Sequence, residues 1–235
     1  MTGLLVALVI VLIIILLYLW CSDWVANLDL ISVSAGDEEY RVHGDYPNNK
    51  EAARVLSILN KRLIEFLRYL KKKYQINTQY GDQPYQVEIG GPNKELRHGI
   101  IQRILQNYNP EAIIENDPKD STDTSYTVAK GKELHICLRN KNDPNKLHNP
   151  NDMMFVLLHE ISHMGNKGWH HLLDFWTAFK FVLHEARTSG VHYPVNYAAK
   201  PINYCGLDVN YSPYFDEAIK SIWKEKSNPD ISSSF

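Results

Sequence analysis

Two histidines four positions apart, His159 and His163, stand inside the apolar run Phe155-Val156-Leu157-Leu158-His159-Glu160-Ile161-Ser162-His163-Met164-Gly165. This H-E-x-x-H pattern constrains the chain more than any other stretch. On a helix the two imidazoles lie on one face, one turn apart, where both can reach a single Zn²⁺. Glu160, next to the first of them, can aim its carboxylate at the metal-bound water and accept its proton. The plain alternative is a pair of ordinary core or surface histidines. Leu157, Leu158 and Ile161 weigh against it, because they bury the helix and make two unpartnered imidazoles costly there. Gly165 reads as a helix stop just past the second histidine.

A catalytic zinc keeps three protein ligands and one open position, so another ligand must follow. Glu185, on the next helical stretch, is one candidate and Asp174 another. His170 and His171 are nearer, and neutral imidazole is a good zinc donor. The residues alone leave these open.

The chain has 235 residues and a formal charge of −2. That suits one globular domain with an appendage and gives no global attraction to nucleic acid or acidic lipid. Cys21, Cys137 and Cys205 are too few for a disulfide framework. A Cys137–Cys205 bridge is possible, but buried thiols in a reducing compartment are the preferred expectation.

Residues 3–20 are eighteen uncharged, mostly aliphatic positions. As a helix they would span about 27 Å, close to the hydrocarbon thickness of a bilayer. Tyr18, Trp20 and Trp24 suit the headgroup level at its end. A basic n-region and a small-residue cleavage site are both missing. The expectation is therefore an uncleaved single-pass anchor over 1–22, in contact with lipid through 3–20. A juxtamembrane linker over 23–36 and one catalytic domain over 37–235 would follow. The first basic residue is Arg41, which leaves orientation open.

Within that domain, 37–46 reads as a weak strand in which His43 is a structural histidine. A long amphipathic helix follows from Asn48, whose side chain would cap it in a box with Glu51. Its apolar stripe runs from Ala52 through Leu56, Leu59, Leu63, Phe66 and Leu70. Its other side carries Arg54, Lys61, Arg62, Arg68 and Lys71 to Lys73, which could touch phosphates but reads more simply as a solvated face. Residues 85–89 form a candidate strand, 94–108 a second amphipathic helix and 115–123 an acidic exposed loop. Residues 125–129 and 133–138 flank Lys130-Gly131-Lys132 as a β-hairpin whose edge could pair with an extended peptide. Asn151-Asp152 would cap the histidine helix. Beyond Gly190 the chain reads as irregular, and a tyrosine or histidine from 192–211 could stabilise an oxyanion.

The stretch from His159 to Trp176 resembles the WLM family of zinc metalloproteases, and more loosely the SprT-like zincins. That pattern is H-E-x-x-H, a short turn, then H-D-x-x-F-W. Here His171-Leu172-Leu173-Asp174-Phe175-Trp176 supplies the His, Phe and Trp. The resemblance implies His171 as the third ligand beside His159 and His163. It extends to membrane-anchored WLM-like proteins of large DNA viruses. Leu172 departs from the acidic residue of the pattern, and the turn before His171 is two residues longer. The implied fold is α+β, a zincin-like domain with a small mixed sheet. The implied activity is zinc-dependent peptide hydrolysis with Glu160 as general base. WLM-type enzymes act on proteins crosslinked to DNA or carrying ubiquitin-like modifiers, which keeps nucleic acid in view as a partner. The alternative is a zinc-stabilised structural or binding module of a membrane or virion, with catalysis lost.

Overall fold

The computed structural model describes residues 6, 8–17, 29–76, 93–119, 124–168 and 170–223. Its frame is a mixed five-stranded sheet built from β1 (Leu30–Ala35), β2 (Glu38–His43), β3 (Ile113–Asn116), β4 (Tyr126–Val128) and β5 (Glu133–Cys137). The spatial order is β1-β2-β3-β5-β4. β1 and β2 form an antiparallel hairpin, β3 lies parallel to both β2 and β5, and β4 returns antiparallel along β5. Parallel neighbours cannot be joined by a tight turn. The crossover from β2 to β3 accordingly carries two helices, α1 (Asn49–Lys73) and α2 (Lys94–Asn107). After the sheet come α3 (Pro150–Gly165), α4 (Leu173–Ser189) and a separate two-stranded hairpin of β6 (Ile202–Tyr204) and β7 (Leu207–Val209).

The apolar stripe of α1 is the spine of the core: Leu56, Leu59, Leu63, Phe66 and Leu70 are fully buried. Against them pack Met153, Leu157, Leu158 and Ile161 of α3 and Phe175, Phe179 and Val182 of α4. The opposite face of α1 leaves Lys61, Arg62 and Arg68 in solvent. Arg54 there pairs with Glu51 at 2.7 Å.

The expected membrane anchor needs correcting. No helix among the described residues is long and apolar enough to cross a membrane. Residues 6 and 8–17 are helical. The single-pass topology and membrane localisation are therefore not supported. Residues 1–5, 7 and 18–28, with Tyr18, Trp20, Cys21 and Trp24, lie outside the described residues, as do the strand expected over 85–89 and Trp169. The linker expected over 23–36 also differs, because β1 occupies most of its second half and pairs along its whole length with β2.

Other differences have local causes. Asn48 stands at the start of α1, but its side chain makes no capping bond. Its amide donates to the Asn145 carbonyl at 2.8 Å and its oxygen accepts from Arg139. Residues 115 and 116, read as exposed loop, are buried in β3. Glu115 is tolerated there because Arg139 Nε donates to it at 2.6 Å and the His43 backbone N–H at 2.8 Å. Cys137 and Cys205, expected as free thiols, are joined in a disulfide with Cα atoms 6.5 Å apart.

Candidate metal centre

The helix that carries the motif begins two residues earlier than the Asn151-Asp152 cap expected from sequence. Asn149 is its N-cap, accepting from the Asn151 backbone N–H at 2.8 Å, and Pro150 fills the first helical position. At the other end Gly165 is still helical and is not a stop. A Cβ there would sit 3.0 Å from both Ile100 and Ile104. The missing side chain lets α2 approach closely, and α2 then satisfies carbonyls that a helix end leaves open. Arg103 Nε donates to the Gly165 carbonyl at 2.7 Å, and the Asn107 amide to Met164 at 3.3 Å.

His159 and His163 project from this anchored helix with Nε2 atoms 3.2 Å apart. His171 Nε2 completes a triangle, 3.0 Å from His163 and 2.9 Å from His159. The three form a group that could hold one metal ion. Imidazole nitrogens at 2.0–2.1 Å in a tetrahedral zinc site lie about 3.3 Å from one another, so the donor set fits with small adjustment. Glu160 is buried beside them, only 6% exposed.

Aromatic packing aims the rings. Phe175 touches all three imidazoles, with centroids 4.9, 4.3 and 4.7 Å from His159, His163 and His171. Trp176 lies 5.6 Å from His171. His171 is not itself helical. It belongs to the loop before α4, whose N-cap is Leu172. His170 and His171 are therefore not related by a helical turn. Both are exposed, and His171 alone joins the group.

That loop is braced from a distance. Lys130, in the turn between β4 and β5, donates to the carbonyls of Asn166 at 2.8 Å, Lys167 at 2.7 Å and Gly168 at 3.4 Å. The sequence marked this lysine only as a turn residue. Its neighbour Gly131 has φ of +121°, and a Cβ there would meet the Asn107 carbonyl at 2.2 Å, so glycine is required for the turn to dock.

Charge is disfavoured at the centre. Burial first, then His163 and His171, pushes His159 down to about 3. Burial, His171 and Lys130 push His163 down to about 4. His171 is also lowered, by burial and then by His170. Neutral imidazoles with open lone pairs are the form a metal needs.

Two sequence candidates for the third ligand fall elsewhere. Asp174 accepts from the backbone N–H of Phe175 at 2.9 Å, at the start of α4. Glu185 is buried three turns further on, bonded to Lys73 at 2.7 Å and to the Tyr69 and Tyr74 hydroxyls at 3.0 Å. Burial opposes its charge, but the adjacent His184 ring and hydrogen bonds from Lys73 and Tyr74 outweigh that and hold its carboxyl at about 2. It is a structural ion.

The histidines open onto a cavity of about 550 Å³. Thr124 to Thr127, at the β4 edge, form one wall, and Leu207 to Tyr211 form the other. Of the tyrosines in the segment 192–211, Tyr204 and Tyr211 line it. Tyr204 is buried and its hydroxyl bonds the Cys137 carbonyl. Tyr211 packs on Trp176 at 5.3 Å and donates to Asp216 at 2.8 Å. Burial and Asp216 push its phenol up to about 12. The β6–β7 wall had no counterpart in the sequence reading, although Cys205-Gly206 between two short apolar runs is a hairpin signal.

Among proteins of known sequence, the chain is 31% identical over 164 residues to Uncharacterized protein R325 of Acanthamoeba polyphaga mimivirus, covering 70% of this chain and 74% of that one. The chain belongs to the family of that viral protein. No family model and no solved structure matches it. The 164 aligned residues are more than a motif-sized stretch can supply, so the relationship is one of domains.

Proposed function

We propose that this chain is a zinc-dependent peptidase whose metal is held by His159, His163 and His171. One observation carries the reading: three imidazole nitrogens within 3.2 Å of one another stand beside the buried Glu160 at the floor of an open cavity. The resemblance of His159 to Trp176 to the WLM pattern supports it. Bound zinc supplies Lewis acidity toward a carbonyl and brings the pKa of a water toward ~7. Glu160 follows His159 directly and is shielded from solvent, so its carboxylate is placed to take a proton from water and return it to a leaving amine.

The cavity suits an extended chain. β4 is the terminal strand of the sheet, and a peptide laid along it would gain main-chain hydrogen bonds beside the histidines. Across the cavity Tyr211 stands on the facing wall, with its one hydroxyl proton given to Asp216.

The test is the Glu160→Gln variant of the full chain beside the unsubstituted protein. Metal content stays near one per chain, while hydrolysis of an unfolded protein substrate falls by roughly 10²–10⁴-fold, the usual worth of a general base. Equal rates would remove Glu160 from the mechanism. Absence of hydrolysis by the unsubstituted, metal-loaded chain would overturn the peptidase reading.

A further inference from the structure

A second convergence of metal-binding atoms lies behind the cavity wall. Cys137 ends β5, Cys205 occupies the tip of the β6–β7 hairpin, and His148 precedes the N-cap of α3. One donor atom from each lies within 4.8 Å of the other two. Both cysteines are buried. His148 turns Nε2 toward Cys205, 3.2 Å from its backbone N–H and 3.4 Å from its Sγ, with its ring set against Tyr204 at 4.6 Å. The two sulfurs also share a carbonyl: Arg139 O is 3.4 Å from Cys137 Sγ and 3.2 Å from Cys205 Sγ. A disulfide has no S–H to offer a carbonyl, whereas a pair of thiols has one on each sulfur.

We propose that opening the Cys137–Cys205 disulfide converts Cys137, Cys205 and His148 into a second Zn²⁺ site, separate from the histidine triangle. The opening is balanced by an external thiol. Two RSH give RSSR, the S–S bond breaks, and two cysteine thiols form. Zinc then displaces one proton from each thiol. Zinc holds thiolate at about 2.3 Å and imidazole at 2.0–2.1 Å, which sets neighbouring donors about 3.3–3.8 Å apart. The His148–Cys205 spacing of 3.4 Å already satisfies that, and the two sulfurs have to separate. Two sulfurs and a nitrogen select zinc over the hard cations calcium and magnesium.

The backbone at the hairpin tip agrees. Cys205 has φ of +49° and Gly206 +86°, two successive left-handed positions that hairpins ordinarily fill with Asn-Gly or Gly-Gly. A cysteine in the first of them is explained by what its sulfur reaches. The consequence falls on the cavity, because Tyr204, Leu207 and Val209 of this hairpin line it. In oxidising surroundings a covalent bond fastens the wall to β5, and in reducing surroundings a metal does.

The experiment compares full-length chain with the disulfide intact and after reduction by excess thiol, removed without air before zinc is added. Thiol titration reports the state and metal analysis the content. The intact form binds one zinc per chain and the reduced form two. Cobalt in the reduced form adds a thiolate charge-transfer band that is absent from the intact form. Cys205→Ser, treated as the reduced form, returns to one metal, whereas His171→Ala in the reduced form keeps the sulfur-bound metal and its band. Equal metal content in the two redox states overturns the proposal, as does an extra metal that survives Cys205→Ser. Should Cys205→Ser fail to fold, the redox comparison on the unsubstituted chain decides alone.

Discussion

His159 and His163 are held in one way and His171 in another. The first two ride on α3, whose Leu157, Leu158, Ile161 and Met164 are completely buried. Their mutual placement follows from helical spacing alone. His171 lies on an exposed loop and owes its position to contacts from elsewhere: the rings of Phe175 and Trp176, and the Lys130 ammonium that gathers three loop carbonyls. Two corners of the triangle are thus set by local structure and the third by tertiary structure. The vulnerable corner is the one whose support is remote in sequence.

Replacing a corner should produce the largest effects. His163→Ala and His171→Ala each lower zinc affinity by more than the ~10–100-fold typical of losing a supporting residue. Zinc titration at one pH reads this directly. Equal affinity of His171→Ala and the unsubstituted chain would remove His171 from the centre. Lys130→Met comes next. It leaves all three imidazoles in place but frees the loop, so affinity should fall within that ~10–100-fold range. If it instead changed by less than twofold, the brace would have no functional weight.

Glu185→Gln separates structure from site. Metal affinity is unchanged, but stability falls by about 1.5–3 kcal/mol because the buried carboxylate gives up its charged hydrogen bonds to the partly exposed Lys73. The carboxyl is held at about 2, below its ordinary 4.5. A lowered carboxylate contributes stability that is complete above the unfolded value and lost as pH falls through the folded one. Stability of the unsubstituted chain against denaturation should fall between about pH 4.5 and pH 2, and that loss should shrink in Glu185→Gln. An identical acid profile for both proteins would contradict the assignment. His170→Ala should have the smallest effect. It is an exposed change outside the triangle, expected within ±0.5 kcal/mol and without effect on zinc.

The same division between local and remote support decides what the sequence could reveal. The α1 stripe, the Lys130-Gly131 turn and the H-E-x-x-H helix are periodic or punctuated signals within one segment, and each stands where the pattern put it. β3 was hidden because Glu115 and Asn116 read as solvent-loving. Only Arg139, from the end of another strand, makes their burial tolerable. Gly165 looked like a stop because its packing partners, Ile100 and Ile104, are on a different helix. The wall of β6 and β7 escaped because each strand has three residues, too few for a period to show. His171 itself was separable from His170 and Glu185 only through the Phe-Trp resemblance, since no periodicity spans a loop.

The central claim is that three imidazoles from these two kinds of support share one metal. Zinc-edge X-ray absorption on the disulfide-intact, zinc-loaded full chain tests it most directly. The account predicts three nitrogen scatterers at about 2.0–2.1 Å with imidazole outer-shell features, one further light atom and no sulfur. It also predicts that His171→Ala removes one imidazole from the fit. A sulfur shell at ~2.3 Å in that oxidised protein, or an imidazole count unaltered by His171→Ala, would contradict it.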